Sequence, residues 1–188
     1  MLDRRSLGAA AVAACCCAPV VGVLPASAQV PAQARVASAK ASAKAGAKAG
    51  AKLGTIRIKR MGLKAPVRQG VGQAVLRRAV GHYPGTGLPG RDGNTVLLGH
   101  RTTYLHPFNK LDRMRRGDPI VLRIGRKTYV YRVQTKRVIK PSDRRALEPV
   151  PFKRRSAPNG QYVTLITCTP KGSDRRRLVV VGKLKKKP

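Results

Sequence analysis

The stretch VTLITCTP, from Val163 to Pro170, carries most of the information about the fold. Its apolar, β-branched residues are typical of a strand that is buried in a core. A cysteine, Cys168, stands at the end of this run. A thiol in that position either fills space in the core or is held at the strand end for chemistry.

Other predicted strands lie on both sides of this segment. Residues 55–63 (TIRIKRMGL) alternate apolar and basic side chains, as a half-buried strand does. Residues 118–139 contain two alternating runs around a Gly125-Arg126 turn, which predicts a hairpin. Three further runs have strand character: NTVLLGH, QYVTLITC and RRLVVVGKL, at 94–100, 161–168 and 176–184. Many short strands separated by turns indicate a mainly β fold, in the form of a closed or nearly closed barrel.

Helical signals are few. We predict a helix over 71–80, a second over 107–115 with proline at its start, and about one turn over 142–147. The predicted folded domain therefore has short helices placed between its strands.

The chain is strongly basic. Its 188 residues include 40 Lys and Arg against 7 Asp and Glu, a formal net charge of +33. So many positive charges repel one another, and they indicate that the protein has a polyanionic neighbour. The candidates are nucleic acid, anionic lipid headgroups and the phosphate-bearing polymers of a bacterial envelope.

Residues 1–28 have the layout of a secretory signal or membrane anchor. Arg4 and Arg5 precede an apolar stretch, and an Ala-Ser-Ala site ends at Ala28. Three routes stay open, namely cleavage after Ala28, an uncleaved anchor, and lipoprotein processing at Cys15; the arginine pair also resembles a twin-arginine signal. All three routes put the domain outside the cytoplasm, in the cell envelope, which argues against nucleic acid as the partner.

Residues 29–54 repeat Ala-Lys-Ala/Gly. Recurring glycine and unneutralised lysine oppose a helix, so we predict a flexible cationic linker. It is expected to contact anionic envelope polymers or lipid headgroups. The folded domain is then expected to span 55–188.

Cys168 is the single cysteine of this predicted domain, because the other three stand at 15–17. It therefore has no partner for a disulfide within the domain and is either inert or kept for chemistry. A cysteine nucleophile needs a general acid or base in reach and a positive group for the developing oxyanion.

The histidines and arginines offer those two groups. His82 and His106 stand in proline-containing, loop-like surroundings, whereas His100 closes a predicted strand. Arg176 and Arg177 precede the last apolar strand. Their side chains point to opposite faces of that strand, and alternation alone does not decide which face meets Cys168.

These segments together resemble the sortase family, and within it most closely the class E type of actinobacteria. The resemblance rests on the Thr-Leu-x-Thr-Cys run at 164–168, on the Gly-His pair at 99–100, and on the arginine directly before the last strand. The segment GHRTTYLHPFNKLDRMRRGD, residues 99–118, also fits. The resemblance implies a mainly β fold, a closed sortase-type barrel of about eight strands with a few short helices.

The resemblance also implies an activity. Sortases are cysteine transpeptidases that cleave an LPxTG-like or LAxTG-like sorting signal between Thr and Gly and join the Thr carbonyl to an amine of a peptidoglycan precursor or a pilin. It implies that Cys168 is the nucleophile, His100 the acid and base, and Arg177 the group that stabilises the oxyanion. The implied substrate-binding residues are Thr103, Tyr104 and Thr167. No cofactor is expected, and the scattered acidic residues argue against a metal site.

The alternative is a catalytically inactive, basic envelope-binding protein that keeps a sortase-like barrel. Two other classes of wall enzyme that use a thiol fit less well. The Ser-x-Gly-Cys context of L,D-transpeptidases is absent, and papain-like hydrolases place cysteine before histidine, the reverse of the order here. The presence of all three implied catalytic residues favours the enzyme.

Overall fold

The computed structural model describes residues 48–185, and its secondary structure is dominated by strands. In chain order these are β1 (Lys52–Ile58), β2 (Leu63–Gln69), β3 (Val80–His82), β4 (Gly93–Leu98), β5 (Pro119–Ile124), β6 (Lys127–Ile139), β7 (Gln161–Thr169) and β8 (Arg176–Leu184). One short α-helix, α1, covers Gln73–Leu76. Short 3-10 helices cover Lys59–Met61, Leu111–Arg113 and Arg144–Leu147. The predicted mainly β class is confirmed.

The eight strands form a closed barrel in the order β1-β2-β3-β4-β7-β8-β6-β5. Most neighbours are antiparallel, but β2 pairs with β3 and β4 pairs with β7 in parallel. A parallel pair needs a long connection, and between β4 and β7 that connection contains β5 and β6. Strands far apart in sequence thereby become neighbours, and the predicted closed barrel is confirmed.

The three strands β4, β7 and β8 bury both of their faces. Side chains alternate between the faces of a strand, so one set points into the barrel and the other points outward. The inward set belongs to the main core and includes Leu97, Val163, Leu165, Leu178 and Val180. The outward set forms a second core with residues of the β6–β7 connection: Val96, Ile166, Val179 and Val181 pack with Ala146, Leu147 and Phe152. Burial on both faces explains why these strands are almost continuously apolar in sequence.

Asn94 fastens the β6–β7 connection to the barrel. Its Nδ2 donates hydrogen bonds to the carbonyls of Ala146, at 2.9 Å, and Glu148, at 3.0 Å. Its Oδ1 accepts a bond of 2.7 Å from the hydroxyl of Thr164. Asn94 and Thr164 are both buried. The connection is therefore held against the outer face of β4 and β7 by a satisfied polar network as well as by apolar contact.

The barrel begins earlier than the sequence predicts. β1 starts at Lys52, so residues 52–54 of the predicted linker belong to the first strand. Leu53 packs against the main core, and the Gly50 N–H donates to the Gln69 carbonyl at 2.8 Å. The Ala-Lys-Gly repeat continues into this strand without a change in composition. The one large apolar residue, Leu53, is therefore too weak a signal to predict a strand start. The rest of the predicted linker, 29–47, and the predicted signal or anchor, 1–28, lie outside the described residues.

The stretch 55–63 is not one strand. It contains the end of β1, a 3-10 turn and the first residue of β2. A 3-10 turn at Lys59–Met61 ends β1, and Gly62 adopts a left-handed conformation with φ of 66° before β2 begins. This reversal needs a positive φ that glycine adopts without strain. The strands β2 and β3 are absent from the sequence prediction, because β2 contains proline and β3 has only three residues.

The predicted helices are all shorter in the structure. The helix expected over 71–80 is reduced to α1, and the one expected over 107–115 to Leu111–Arg113. The turn expected over 142–147 is the 3-10 helix Arg144–Leu147. Only the last has a side-chain cap, in which Asp143 accepts from the N–H of Arg145. Without caps and additional turns, these segments gain little from helix formation, so tertiary contacts set their conformation.

His82 lies at the end of β3 in a buried polar cluster. Its side chain is 2% exposed. Nδ1 lies 2.8 Å from Oε1 of Gln69, and Nε2 lies 3.0 Å from the Gly87 carbonyl oxygen and 3.2 Å from the Thr86 hydroxyl. Burial lowers the pKa of His82 below its ordinary value of 6.5, although the Gly87 carbonyl opposes the shift. His82 is therefore part of the packed interior and not of an exposed site.

We predict that protonation of His82 destabilises the domain. With a pKa that is lower in the folded than in the unfolded state, the unfolded chain binds more protons below about pH 6.5, so stability falls as the pH drops through that range. Urea unfolding should give a smaller free energy of unfolding at pH 5 than at pH 7.5, and this difference should shrink in His82→Gln. The exposed His106→Gln is the control and should keep the wild-type difference. An unchanged difference in His82→Gln contradicts the prediction.

We predict that Asn94→Ala loosens the β6–β7 connection. Two carbonyls and one hydroxyl lose their partner, at a cost of about 1–3 kcal/mol for each buried group left unsatisfied. Urea unfolding should show the lower stability, and amide hydrogen exchange should be faster in residues 144–152 than elsewhere. Gln134→Ala, at an exposed site, is the control and should leave both unchanged. Wild-type exchange in 144–152 of Asn94→Ala would contradict this role.

Candidate active site

Cys168 and Arg177 face each other across the β7–β8 pair. They are direct register partners, whereas Arg176 pairs with Thr169. Side chains of directly opposed residues lie on the same face, with Cβ atoms about 4.5–5.5 Å apart. Cys168 shares its face with Ile166, two residues earlier, so both side chains are on the outer face of the barrel. The register thus places Arg177, and not Arg176, on the same face as Cys168. Alternation in the sequence leaves this question open.

His100 follows β4, which is the parallel neighbour of β7. Leu98 is the register partner of Ile166, and the Gly99 N–H still donates to the Ile166 carbonyl at 3.2 Å. Continuing this register by two residues brings His100 beside Cys168. Leu98 packs in the outer core, so His100, two residues later, belongs to the outer side as well. His100, Cys168 and Arg177 therefore form one row across three adjacent strands.

All three side chains of this row are partly exposed. Cys168 is a free cysteine of intermediate exposure, so its thiol is not sealed in the core. The Arg177 guanidinium donates from Nη1 to the Asp174 carbonyl at 2.6 Å and to the Arg176 carbonyl at 3.2 Å. These bonds tie its positive charge to the β7–β8 connection. A thiol, an imidazole and a guanidinium are thus carried by neighbouring, partly exposed residues at one end of these strands.

His100 lies against an aromatic ring and near a positive charge. The centroids of the His100 and Tyr104 rings are 5.1 Å apart, and the ring planes are tilted by 48°. The Arg77 guanidinium carbon lies 5.1 Å from the Tyr104 centroid. Burial lowers the pKa of His100 below its ordinary value of 6.5, and the Arg77 charge lowers this pKa further. The buried Nε2 has no hydrogen-bond partner among the described residues.

The three predicted substrate-binding residues have different surroundings. Tyr104 is 51% exposed and has a φ of 53°, and Thr103 beside it is exposed as well. Their carbonyls accept hydrogen bonds from the His106 side chain and main chain. Thr167, by contrast, is 3% exposed, and its hydroxyl donates to the Gly99 carbonyl at 2.7 Å. Thr167 therefore holds the ends of β4 and β7 together, and we assign its hydroxyl no contact with substrate.

The sequence does not single out one residue at this site, Arg101. Its guanidinium is buried, and Nη1 donates to the carbonyl of Cys168 at 3.3 Å. As one of 40 Lys and Arg residues in the chain, it has no compositional mark. Its position directly after His100 is the sole signal that it belongs to the site.

Three of the six acidic side chains in residues 48–185 form ion pairs with arginine. Asp118 pairs with Arg60, and Asp112 pairs with Arg101. Within residues 48–185, His, Cys, Asp and Glu side chains do not gather in threes at the spacing that a metal ion requires. None of the helices in that range has both the length and the apolar character needed to cross a bilayer.

Curated proteins similar to this chain are sortases. A family model described as the sortase domain matches residues 56–185. Sortase SrtE1 of Streptomyces coelicolor is 35% identical over 137 residues, which are 69% of this chain and 39% of the relative. Sortase SrtE2 of the same organism is 35% identical over 102 residues, which are 52% of this chain and 40% of the relative. The chain therefore spans about two fifths of the length of these relatives.

Solved structures lead to the same family. Sortase E from Streptomyces avermitilis is 34% identical, with a TM-score of 0.68 over 74% of this chain and 91% of that structure. The SrtA sortase of Actinomyces oris is 30% identical, with a TM-score of 0.71 over 74% and 82%. Sortase E1 of S. coelicolor, solved with a tripeptide in its active site, is 32% identical, with a TM-score of 0.68 over 73% and 90%. The predicted resemblance to class E sortases is confirmed, and the chain belongs to the sortase family.

Proposed function

We propose that this protein is a cysteine transpeptidase that cleaves an LPxTG-like or LAxTG-like sorting signal between Thr and Gly and transfers the Thr carbonyl to an amine. The observation that carries the proposal is the row of Cys168, His100 and Arg177 on the outer face of three adjacent strands. Acyl transfer needs a nucleophile, a proton carrier and a positive group near the oxyanion, and this row offers one of each.

The first half of the reaction forms a thioester. The neutral His100 imidazole takes the proton of the Cys168 thiol, and the resulting thiolate attacks the carbonyl carbon of the substrate threonine and pushes the carbonyl electrons onto oxygen. As the tetrahedral intermediate collapses, the Thr–Gly C–N bond breaks and His100 gives a proton to the departing glycine nitrogen. The Thr carbonyl is then held on Sγ, and the carboxyl-terminal piece leaves with a free amine.

The second half reverses these roles. An incoming amine attacks the thioester carbon while His100 takes a proton from it. The C–S bond breaks, a new amide bond forms, and the Cys168 thiolate is restored. The proposed acceptors are an amine of a peptidoglycan precursor and a lysine of a pilin, in keeping with the family.

Arg177 is proposed to stabilise the oxyanion of both tetrahedral intermediates. Its hydrogen bonds to the Asp174 and Arg176 carbonyls limit the motion of the guanidinium, which lowers the reorganisation needed during the reaction. A single donor of this kind is typically worth about 2.7–4 kcal/mol of transition-state stabilisation.

The walls of the proposed peptide groove come from the exposed residues near the row. Thr103 and Tyr104 follow His100, and Tyr104 contacts its ring. The β6–β7 connection covers the outer face next to the row, where the Arg137 guanidinium carbon lies 4.7 Å from the Phe152 ring centroid. These two segments are proposed to bind the residues on either side of the scissile bond.

Location in the cell envelope and binding to its anionic polymers are part of the proposal. Sortases are usually associated with the cell envelope, and the secretory signal predicted over 1–28 supports export of this one. Residues 48–185 contain 33 Lys and Arg against 6 Asp and Glu, a difference of +27, so the domain adds its own charge to that of the predicted linker. Anionic polymers or lipid headgroups are the proposed partners of this surface.

We predict that the purified protein joins a fluorogenic LAxTG or LPxTG peptide to triglycine. Cys168→Ala should abolish turnover, because no other thiol is present in residues 48–185. Product should be identified by mass, with the unmodified peptide alone as control. No turnover by wild type, or equal turnover by Cys168→Ala, would favour the alternative of an inactive, basic envelope-binding protein.

We predict that the two neighbouring arginines differ sharply. Arg177→Ala should lower kcat by about 10²–10³, the usual loss for one oxyanion donor. Arg176→Ala is the matched control, because Arg176 is exposed and its register partner is Thr169 and not Cys168. Steady-state kinetics on the same peptide measures both. A large loss in Arg176→Ala with none in Arg177→Ala would exclude the proposed role.

We predict that the charge of Arg77 keeps His100 neutral to lower pH. NMR titration of the His100 ring should give a midpoint below 6.5, and Arg77→Met should raise it, because a nearby positive charge disfavours the imidazolium. Arg78→Met removes an exposed neighbouring charge and should leave the midpoint in place. A wild-type midpoint above 6.5, or equal midpoints in wild type and Arg77→Met, would contradict the prediction.

A further inference from the structure

We propose that Arg101 is a positioning residue that holds the thiol and the imidazole of the active site in register; this inference rests on the proposed transpeptidase function. Arg101 is 6% exposed, and it is the one buried Lys or Arg within residues 48–185. Burying a guanidinium is costly unless its donors are satisfied. Among the many cations of residues 48–185, the single buried one thus lies directly beside the candidate catalytic groups.

The guanidinium donates to three groups, which lie in two other segments of the chain. Nη1 donates to the Cys168 carbonyl at 3.3 Å, Nε to the Asn109 carbonyl at 3.3 Å, and Nη2 to the Asp112 carboxylate at 3.0 Å. Asn109 returns a bond from Nδ2 to the Arg101 carbonyl at 3.0 Å. Lys171, on the β7–β8 connection, donates to Oδ1 of Asn109 at 3.1 Å. The side chain is therefore the centre of a network and not half of an isolated ion pair.

This network begins where the β4–β7 ladder ends. The last register pair is Leu98 with Ile166, and the last bonds of the ladder reach Gly99. Neither His100 nor Cys168 is fixed to the opposite strand by these bonds. The bond from Arg101 to the Cys168 carbonyl closes that gap, and because Arg101 directly follows His100, it ties the two catalytic groups through one residue.

Proton transfer between the thiol and the imidazole makes this hydrogen bond important. The thiol and imidazole exchange protons only at hydrogen-bond distance, and a displacement of about 1 Å can cost about 10²-fold in rate. Arg101 binds the Cys168 main chain, so its action passes through the position of Sγ. Lysine is expected to replace it only in part, because a single ammonium does not reproduce the fixed fork of guanidinium donors.

The test compares wild type, Arg101→Met, Arg101→Lys and Arg60→Met. Arg60→Met is the matched control, because it breaks another Arg–Asp pair, with Asp118. Each protein is assayed for kcat and KM on the sorting-signal peptide, for the rate of Cys168 alkylation by iodoacetamide, and for its unfolding temperature. We expect Arg101→Met to lower kcat by about 100-fold with KM within about threefold, and to slow alkylation. Arg101→Lys should be intermediate, and Arg60→Met should keep wild-type kcat and alkylation.

Wild-type kcat and alkylation in Arg101→Met would overturn the proposal, as would an equal loss of kcat in Arg60→Met. If Arg101→Met fails to fold, the kinetics of Arg101→Lys test the proposal instead. Wild-type kcat in that folded variant overturns the proposal. Absence of turnover in the wild type itself would remove the transpeptidase function. The alkylation rates would still be informative in that case, because equal rates in wild type and Arg101→Lys refute positioning without any reference to turnover.

Discussion

The pairing of β7 with β4 on one side and with β8 on the other is the constraint on which the site depends. It sets Cys168 opposite Arg177 and next to the end of the strand that leads to His100. Because side chains alternate, a slip of one residue in β7 would turn the thiol into the barrel and the neighbouring Thr167 outward. The two cores prevent this slip. Leu165 fills the inner core and Ile166 the outer one, so both faces of β7 are specified at once.

The same arrangement accounts for the balance between burial and access at the site. The outer core covers most of the β4–β7–β8 face, and the network of Asn94 holds the covering segment in place. The cover does not seal the row of His100, Cys168 and Arg177, which stays partly exposed. Burial thereby lowers the pKa of the imidazole, while the thiol remains partly exposed. Where the β4–β7 ladder ends, the hydrogen bond from Arg101 to the Cys168 carbonyl is proposed to hold the two strand ends together.

Much of the fold is readable in the sequence. The alternating runs of the β5–β6 hairpin and the apolar runs of β7 and β8 predict those strands closely, because their faces are defined by burial. β2 and β3 escape prediction, since proline and glycine weaken the strand signal and their pairing is set by the barrel. The helices are overestimated for the opposite reason, as local propensity without caps does not outweigh tertiary contacts.

The candidate site is readable only in part. The types of the candidate catalytic residues and their order along the chain indicate the family, but the face of Arg177 follows from the cross-strand register, which a single sequence does not encode locally. Thr167 adjoins the cysteine in sequence and yet points away from it, bound to the Gly99 carbonyl. In the sequence, Arg101 is one of many arginines and is marked only by its place after His100; in the structure, its burial distinguishes it.

The most direct test of the central claim is intact-mass spectrometry of the protein mixed with a sorting-signal peptide and no acceptor amine. Covalent catalysis through Cys168 predicts an adduct with the mass of the peptide acyl group ending in threonine, released by hydroxylamine and absent from Cys168→Ala. Cleavage of the peptide with the adduct on another residue, or an adduct that persists in Cys168→Ala, would contradict a thioester at this cysteine.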